Sequence, residues 1–170
     1  MKNIFSIIAC VLWINITNAQ KADPIKWESV KLKSKNDYKN AESTVRVCAS
    51  YLLSHRYNQD DLSVHSAGHL VIRWMEGTKE YHFAVQGNIS KYYTKENGLL
   101  VIYMAALTSL GIDSPAILTD GKKVEVEAMK MLAKYCDDPA YKVEKTAAIE
   151  KLITAYKGGT IEDILDKTNK

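Results

Sequence analysis

A chain of 170 residues, 46% hydrophobic and 25% charged, suits one folded core and is too short for two comfortable ones. Its 23 Lys and Arg stand against 20 Asp and Glu, a net charge of only +3, with the lysines interleaved among acids instead of gathered in a stripe. That balance argues against nucleic acid or another polyanion as the partner.

The chain opens with Met1-Lys2-Asn3 and an apolar run over residues 4–16, interrupted by Ser6 and Asn15. This is the charged start and short apolar middle of a secretory signal. Thr17-Asn18-Ala19 supplies small residues at the cleavage-determining positions, which places the cut before Gln20 and divides the chain into a signal peptide (1–19), an arm (20–37) and a helical domain (38–170). A core helix or membrane anchor competes with this reading, but the run is too short to span a bilayer. Ile7-Ile8-Ala9-Cys10 loosely matches a lipoprotein cleavage box, yet the apolar run continues through Val11 to Ile14, so Cys10 is expected to leave with the leader. The expected location is secreted or periplasmic. There Cys48 and Cys136 are permitted to form a disulfide. Both also sit in helix-like apolar patterns that suit buried free thiols.

Residues 20–37 are Lys-rich and lack helical periodicity, with Pro24 fixing an extended entry and Ile25, Trp27, Val30 and Leu32 available to strap the arm onto the body. From 38 to about 56, Ala41, Val45, Cys48, Ala49, Leu52 and Leu53 recur at three and four, which predicts an amphipathic helix. Asp60 or Asp61 can cap a new first turn after it. Over 62–75 a helical face (Ala67, Leu70, Val71, Trp74, Met75) competes with a strand that would pair with Tyr81, Phe83 and Val85 as a hairpin. The helix accounts for more apolar residues and leaves Gly77 as its stop, with 81–85 as an extended link turning alternate aromatics inward.

Gly87-Asn88 turns the chain into a short helix around 89–93, and Asn97 caps the next. That next segment, residues 99–110 (LLVIYMAALTSL), lies in a charge-free window from 97 to 112 and is apolar in every direction. Such a helix is enclosed by protein. Its length of roughly 18 Å falls well short of the roughly 30 Å of a bilayer core. After Ser114-Pro115, the set Val126, Met129, Leu132, Ala133 and Cys136 predicts a helix ending before Pro139. Thr146 caps a helix carrying Ile149, Leu152, Ile153 and Tyr156, which Gly158-Gly159 ends, and Thr160 with Asp163 approximates a capping box for a last short one. The expected fold is all-α: one compact domain of six or seven antiparallel helices around a buried central helix.

Chemistry-bearing patterns are sparse. His65-Ser66-Ala67-Gly68-His69 puts two imidazoles four apart, on one helical face. The zinc-protease motif places a glutamate where Ser66 stands, and no third ligand is evident. His55 and His82 are isolated. Cys48 and Cys136 lie at core-facing positions that raise a thiol's pKa. The carboxylate pairs Asp60-Asp61 and Asp137-Asp138 fall at helix boundaries, where acids serve as caps. Gly158-Gly159 lacks the lysine and preceding strand of a phosphate loop, and Asn88-Ile89-Ser90 matches a glycosylation acceptor. Ten tyrosines against two phenylalanines suit binding faces that are apolar in body and wet at the tip. Trp74, Tyr81, Tyr92 and Tyr93 are near enough in sequence to form one, or alternatively to close the edges of the core.

Trp74-Met75-Glu76-Gly77-Thr78 with Tyr81 and Phe83, Leu99-Leu100-Val101-Ile102-Tyr103-Met104, and Met131-Leu132-Ala133-Lys134-Tyr135-Cys136 together resemble a group of small, secreted, uncharacterised bacterial proteins over residues 64–165. The resemblance implies an exported bacterial helical protein and carries no activity or site. The expected role is therefore a non-enzymatic binding module of the cell envelope, with a protein or envelope component as partner, no cofactor, and no catalytic or metal residues assigned. The alternative is a metal-assisted hydrolase using His65 and His69.

Overall fold

The charge-free window forms the middle of the molecule. In a computed structural model, which describes residues 27, 29–85, 87–94 and 96–166, α3 runs over Leu99–Asp113, and no side chain from Leu99 to Ile112 is exposed. Around it pack α1 (Lys35–Ser54), α2 (Leu62–Gly77) and α4 (Gly121–Asp137), while α5 (Ala147–Lys157) and α6 (Ile161–Asp166) close over α4. Short 3-10 turns at Gly87–Lys91, Pro115–Thr119 and Pro139–Tyr141 join them, and the described residues contain no strand. The fold is thus all-α, with six α-helices among the described residues. The leader, its cleavage point and Cys10 lie outside the described residues.

Local chemistry sets where each helix begins. α1 starts three residues earlier than its apolar periodicity predicts, because Ser34 and Asp37 make a reciprocal capping box: the Asp37 amide donates to Ser34 Oγ at 3.3 Å and the Ser34 amide to Asp37 Oδ2 at 2.9 Å. The arm is correspondingly shorter. Asp61, not Asp60, caps α2, accepting from the amides of Ser63 and Val64. Asp120 and Thr146 do the same for α4 and α5. At α3 the position expected for Asn97 is shifted by one: Gly98 is the N-cap residue at φ +64°, while Asn97 Oδ1 still accepts the Leu99 amide at 3.1 Å from just outside the helix. Gly159, at φ +69°, follows the end of α5. Thr160 does not complete the expected box; its amide and hydroxyl both turn back to the Ala155 carbonyl.

Helix wins over hairpin at 62–75 because α2 buries Val64, Ala67, Leu70, Val71, Trp74 and Met75 at once, and a strand would turn half of such a set to solvent. Gly77 is the last helical residue, and the chain leaves through Thr78 in extended geometry, so its role is not that of a left-handed stop. A Cβ at Gly77 would run into the Tyr38 hydroxyl, so what the position requires is close approach. Beyond it Tyr81 and Phe83 fold back onto Trp74 at centroid distances of 5.1 and 6.1 Å. Of the expected strap, Trp27 is buried, its amide donates to Ser66 Oγ at 2.7 Å and its ring meets Tyr51 edge-on at 5.4 Å, and Val30 and Leu32 pack against the core, while Pro24 and Ile25 lie outside the described residues.

Cys48 and Cys136 are free thiols, both fully buried. None of the described helices is long and apolar enough to cross a membrane.

Candidate functional site

A broad concavity lies where the end of α1, the segment before α3, and the connection from α4 to α5 meet. It is a cleft of about 490 Å³ with Tyr57, Tyr135 and Tyr141 in its walls. A second hollow of about 230 Å³, between Leu53 and Met131, shares Tyr135 and Tyr141 with it.

Tyr135 holds the cleft together. Near the end of α4, it is 3% exposed, and its hydroxyl accepts the Tyr57 amide at 2.7 Å while donating to the His55 carbonyl at 2.9 Å. One phenol thereby satisfies two main-chain groups left over where α1 stops. Burial pushes the Tyr135 hydroxyl up to about 12, against a smaller downward pull from the bonded Tyr57 amide, so the clamp stays protonated through neutral pH. The ring of Tyr141 stacks on that of Tyr135 at 4.3 Å and 12°. Asp138 sets up this stack by accepting the Ala140 amide at 2.8 Å, which starts the turn that carries Tyr141 back over α4.

Two backbone features tighten the same place. Lys142, at the rim, has φ +52° and ψ +38°, the sole non-glycine residue with positive φ among those described and a conformation costing roughly 1–2 kcal/mol. Gly98 lets the Tyr57 ring lie flat on the main chain, where a Cβ would strike that ring. Arg56 and Lys142 contribute two positive charges to the cleft lining, and Glu96 and Glu144 two negative ones. The result is an aromatic floor with a polar rim of no net charge.

The residues singled out from sequence fall elsewhere. Trp74 is 1% exposed, with Nε1 donating to the Tyr38 carbonyl at 2.9 Å, and Tyr92 is buried as well. Tyr93 of that group is exposed and Tyr81 half-buried against Trp74, so Trp74, Tyr81, Tyr92 and Tyr93 do not make one face; the core claims Trp74 and Tyr92. Asn88 is buried, its Nδ2 donating at 2.9 Å to Glu125, a carboxylate itself buried on α4. In the folded chain this asparagine cannot accept a glycan. His65 and His69 stand side by side on the outer face of α2, both exposed, and His55 stacks on Tyr51 at 3.8 Å. Among the described residues no three His, Cys, Asp or Glu side chains gather in a way that could hold a metal ion. Asp137 pairs with Lys157 at 2.7 Å, while Asp138 is a cap. Burial pushes both thiols up to about 12, the opposite of what nucleophilic catalysis needs.

No family model, curated protein or solved structure matches this chain. The cleft must be read on its own chemistry. Tyr57, Tyr135 and Tyr141 gave no signal in the sequence, because 78 residues separate the two ends of the Tyr57–Tyr135 hydrogen bond. The one available hint was the Asp138-Pro139 helix stop, which predicts a reversal there without saying what the reversal covers.

Proposed function

We propose that this chain is an exported bacterial helical module that binds another macromolecule or envelope component without catalysis, and that the tyrosine cleft is its binding surface. Tyr57 brought from the end of α1 onto the Tyr135–Tyr141 stack at the end of α4, on a clamp that uses up main-chain groups and beside a residue in strained backbone, supports that reading more than any other feature. Tyrosine gives large, rigid contact area with a wet edge at small entropic cost. The balanced rim favours a partner recognised by shape and hydrogen bonding over one recognised by charge. Export rests on the Lys2-led apolar run and the Thr17-Asn18-Ala19 site, and on the resemblance to secreted bacterial proteins.

The test uses immobilised chain and envelope extract. Wild type is expected to retain a saturable component that the half-buried Tyr141→Ala variant loses while keeping its helical circular dichroism. Retention of nothing saturable, or equal retention by both proteins, sinks the cleft as the site. N-terminal sequencing of the protein recovered outside the cytoplasm is expected to begin at Gln20, and an intact Met1 in the cytoplasm removes the exported part of the reading.

A further inference from the structure

The outer stripe of α2 carries a feature the cleft does not use. Leu62, His65, His69 and Glu76 are its exposed residues, and His65 and His69 lie one turn apart with rings nearly parallel, 15° between planes and 6.5 Å between centroids. The inner side of α2 is packed on α1 and α3, so the backbone that presents the two imidazoles is fixed while the rings are free to turn. We propose that His65 and His69 form a two-point chelate for a late first-row divalent cation, with the remaining coordination positions open to water.

The geometry needs little adjustment. Imidazole nitrogens bind such metals at roughly 2.0–2.1 Å, so two rings sharing one ion in tetrahedral or square geometry have centroids roughly 4.5–5 Å apart. Closing from 6.5 Å requires side-chain rotation alone, and neither ring is held by burial. Two imidazoles without thiolates or carboxylates select for copper and nickel over zinc and reject magnesium. Arg73, the next residue at four-residue spacing, places a positive charge beyond His69, and the N-terminal start of α2 at Leu62 places a partial one near His65. Both oppose a cation and keep the site weak. Two protein ligands with no buried base or third ligand bind a metal without making a hydrolase, and the site is independent of the cleft.

Titration calorimetry of the full chain with Cu²⁺, Ni²⁺, Zn²⁺ and Mg²⁺ at pH 7.5 is the direct test. One equivalent is expected to bind in the order Cu²⁺ > Ni²⁺ > Zn²⁺, with no heat from Mg²⁺. His65→Ala and His69→Ala are each expected to weaken binding about tenfold or more, because the second ligand acts at high effective concentration only when the first is present. Both positions are exposed, so helicity should be unchanged. His55→Ala and His82→Ala should bind as wild type does. Equal binding by wild type and His69→Ala, or loss of binding in His55→Ala or His82→Ala, overturns the proposal.

Discussion

Two aromatic clusters in this protein are built from similar residues and end in opposite situations. Trp74, Tyr81 and Phe83 come from one stretch of ten residues, and the chain folds them onto themselves as the flank of the core. Tyr57 reaches a cleft wall from 78 residues away to meet Tyr135, on which Tyr141 of the following turn stacks. Proximity in sequence lets a cluster bury itself locally, with a tryptophan N–H satisfied by the Tyr38 carbonyl. The second cluster joins a local stack to a ring 78 residues away at a junction of helix ends, where unsatisfied main-chain groups demand polar partners and leave space between elements. The first arrangement closes the edge of the core around a buried Trp74, and the second leaves a hollow beside a buried Tyr135 with half-buried Tyr57 and Tyr141 in its walls.

Alkali strains both clusters at once and is the largest effect expected. Cys48 and Cys136 ionise near 9.0 when free and are pushed up to about 12 by burial. Their contribution to stability is therefore complete below pH 9 and is lost as pH rises toward 12. At roughly 1.4 kcal/mol per pH unit per group, the two thiols remove about 5 kcal/mol by pH 11, comparable with the whole stability of a small domain. Tyr81 and Tyr135, one from each cluster, ionise near 10.0 when free and are pushed up to about 12, so they add to the loss above pH 10. Thermal melts should be flat from pH 7 to 8.5 and fall steeply beyond pH 10 in one transition. Equal melting temperatures at pH 8 and pH 11 would contradict the burial of these groups.

The remaining tests separate the clusters. Trp74→Ala is expected to cost about 3–5 kcal/mol in urea denaturation, as for a large ring removed from a closed core. A cost below about 1 kcal/mol would mean that this cluster is surface after all. Tyr135→Phe should cost less, about 1–3 kcal/mol, because the ring remains and only the hydroxyl that serves Tyr57 and His55 goes. Amide hydrogen exchange should localise that change to the Tyr57 N–H, and unaltered protection there would dismantle the clamp. Tyr93→Ala, at a position 39% exposed, should stay within about 0.5 kcal/mol of wild type. A larger loss would place Tyr93 in the core with Tyr92.

Most helices were legible because their signals are local. Asp61 and Thr146 cap where a short polar side chain precedes an apolar period, and the free amides of a first turn are always within that side chain's reach. Misplaced boundaries have local reasons as well. Ser34 and Asp37 extend α1 beyond its apolar face, since a capping box needs no buried residue, and Gly98 took the N-cap from Asn97 because the Tyr57 ring occupies the space a side chain would fill. The buried Asn88–Glu125 pair was invisible, because a polar residue reads as exposed until its partner 37 positions away is known.

Composition, periodicity and caps determined that this chain is helical and that residues 99–112 lie inside it, because backbone satisfaction and apolar burial are decided within a few turns. Tertiary packing alone decided which tyrosines became wall and which became core. Whether a ring meets solvent depends on what the far parts of the chain place over it, and for Tyr57, Tyr135 and Tyr141 those parts are the ends of other helices.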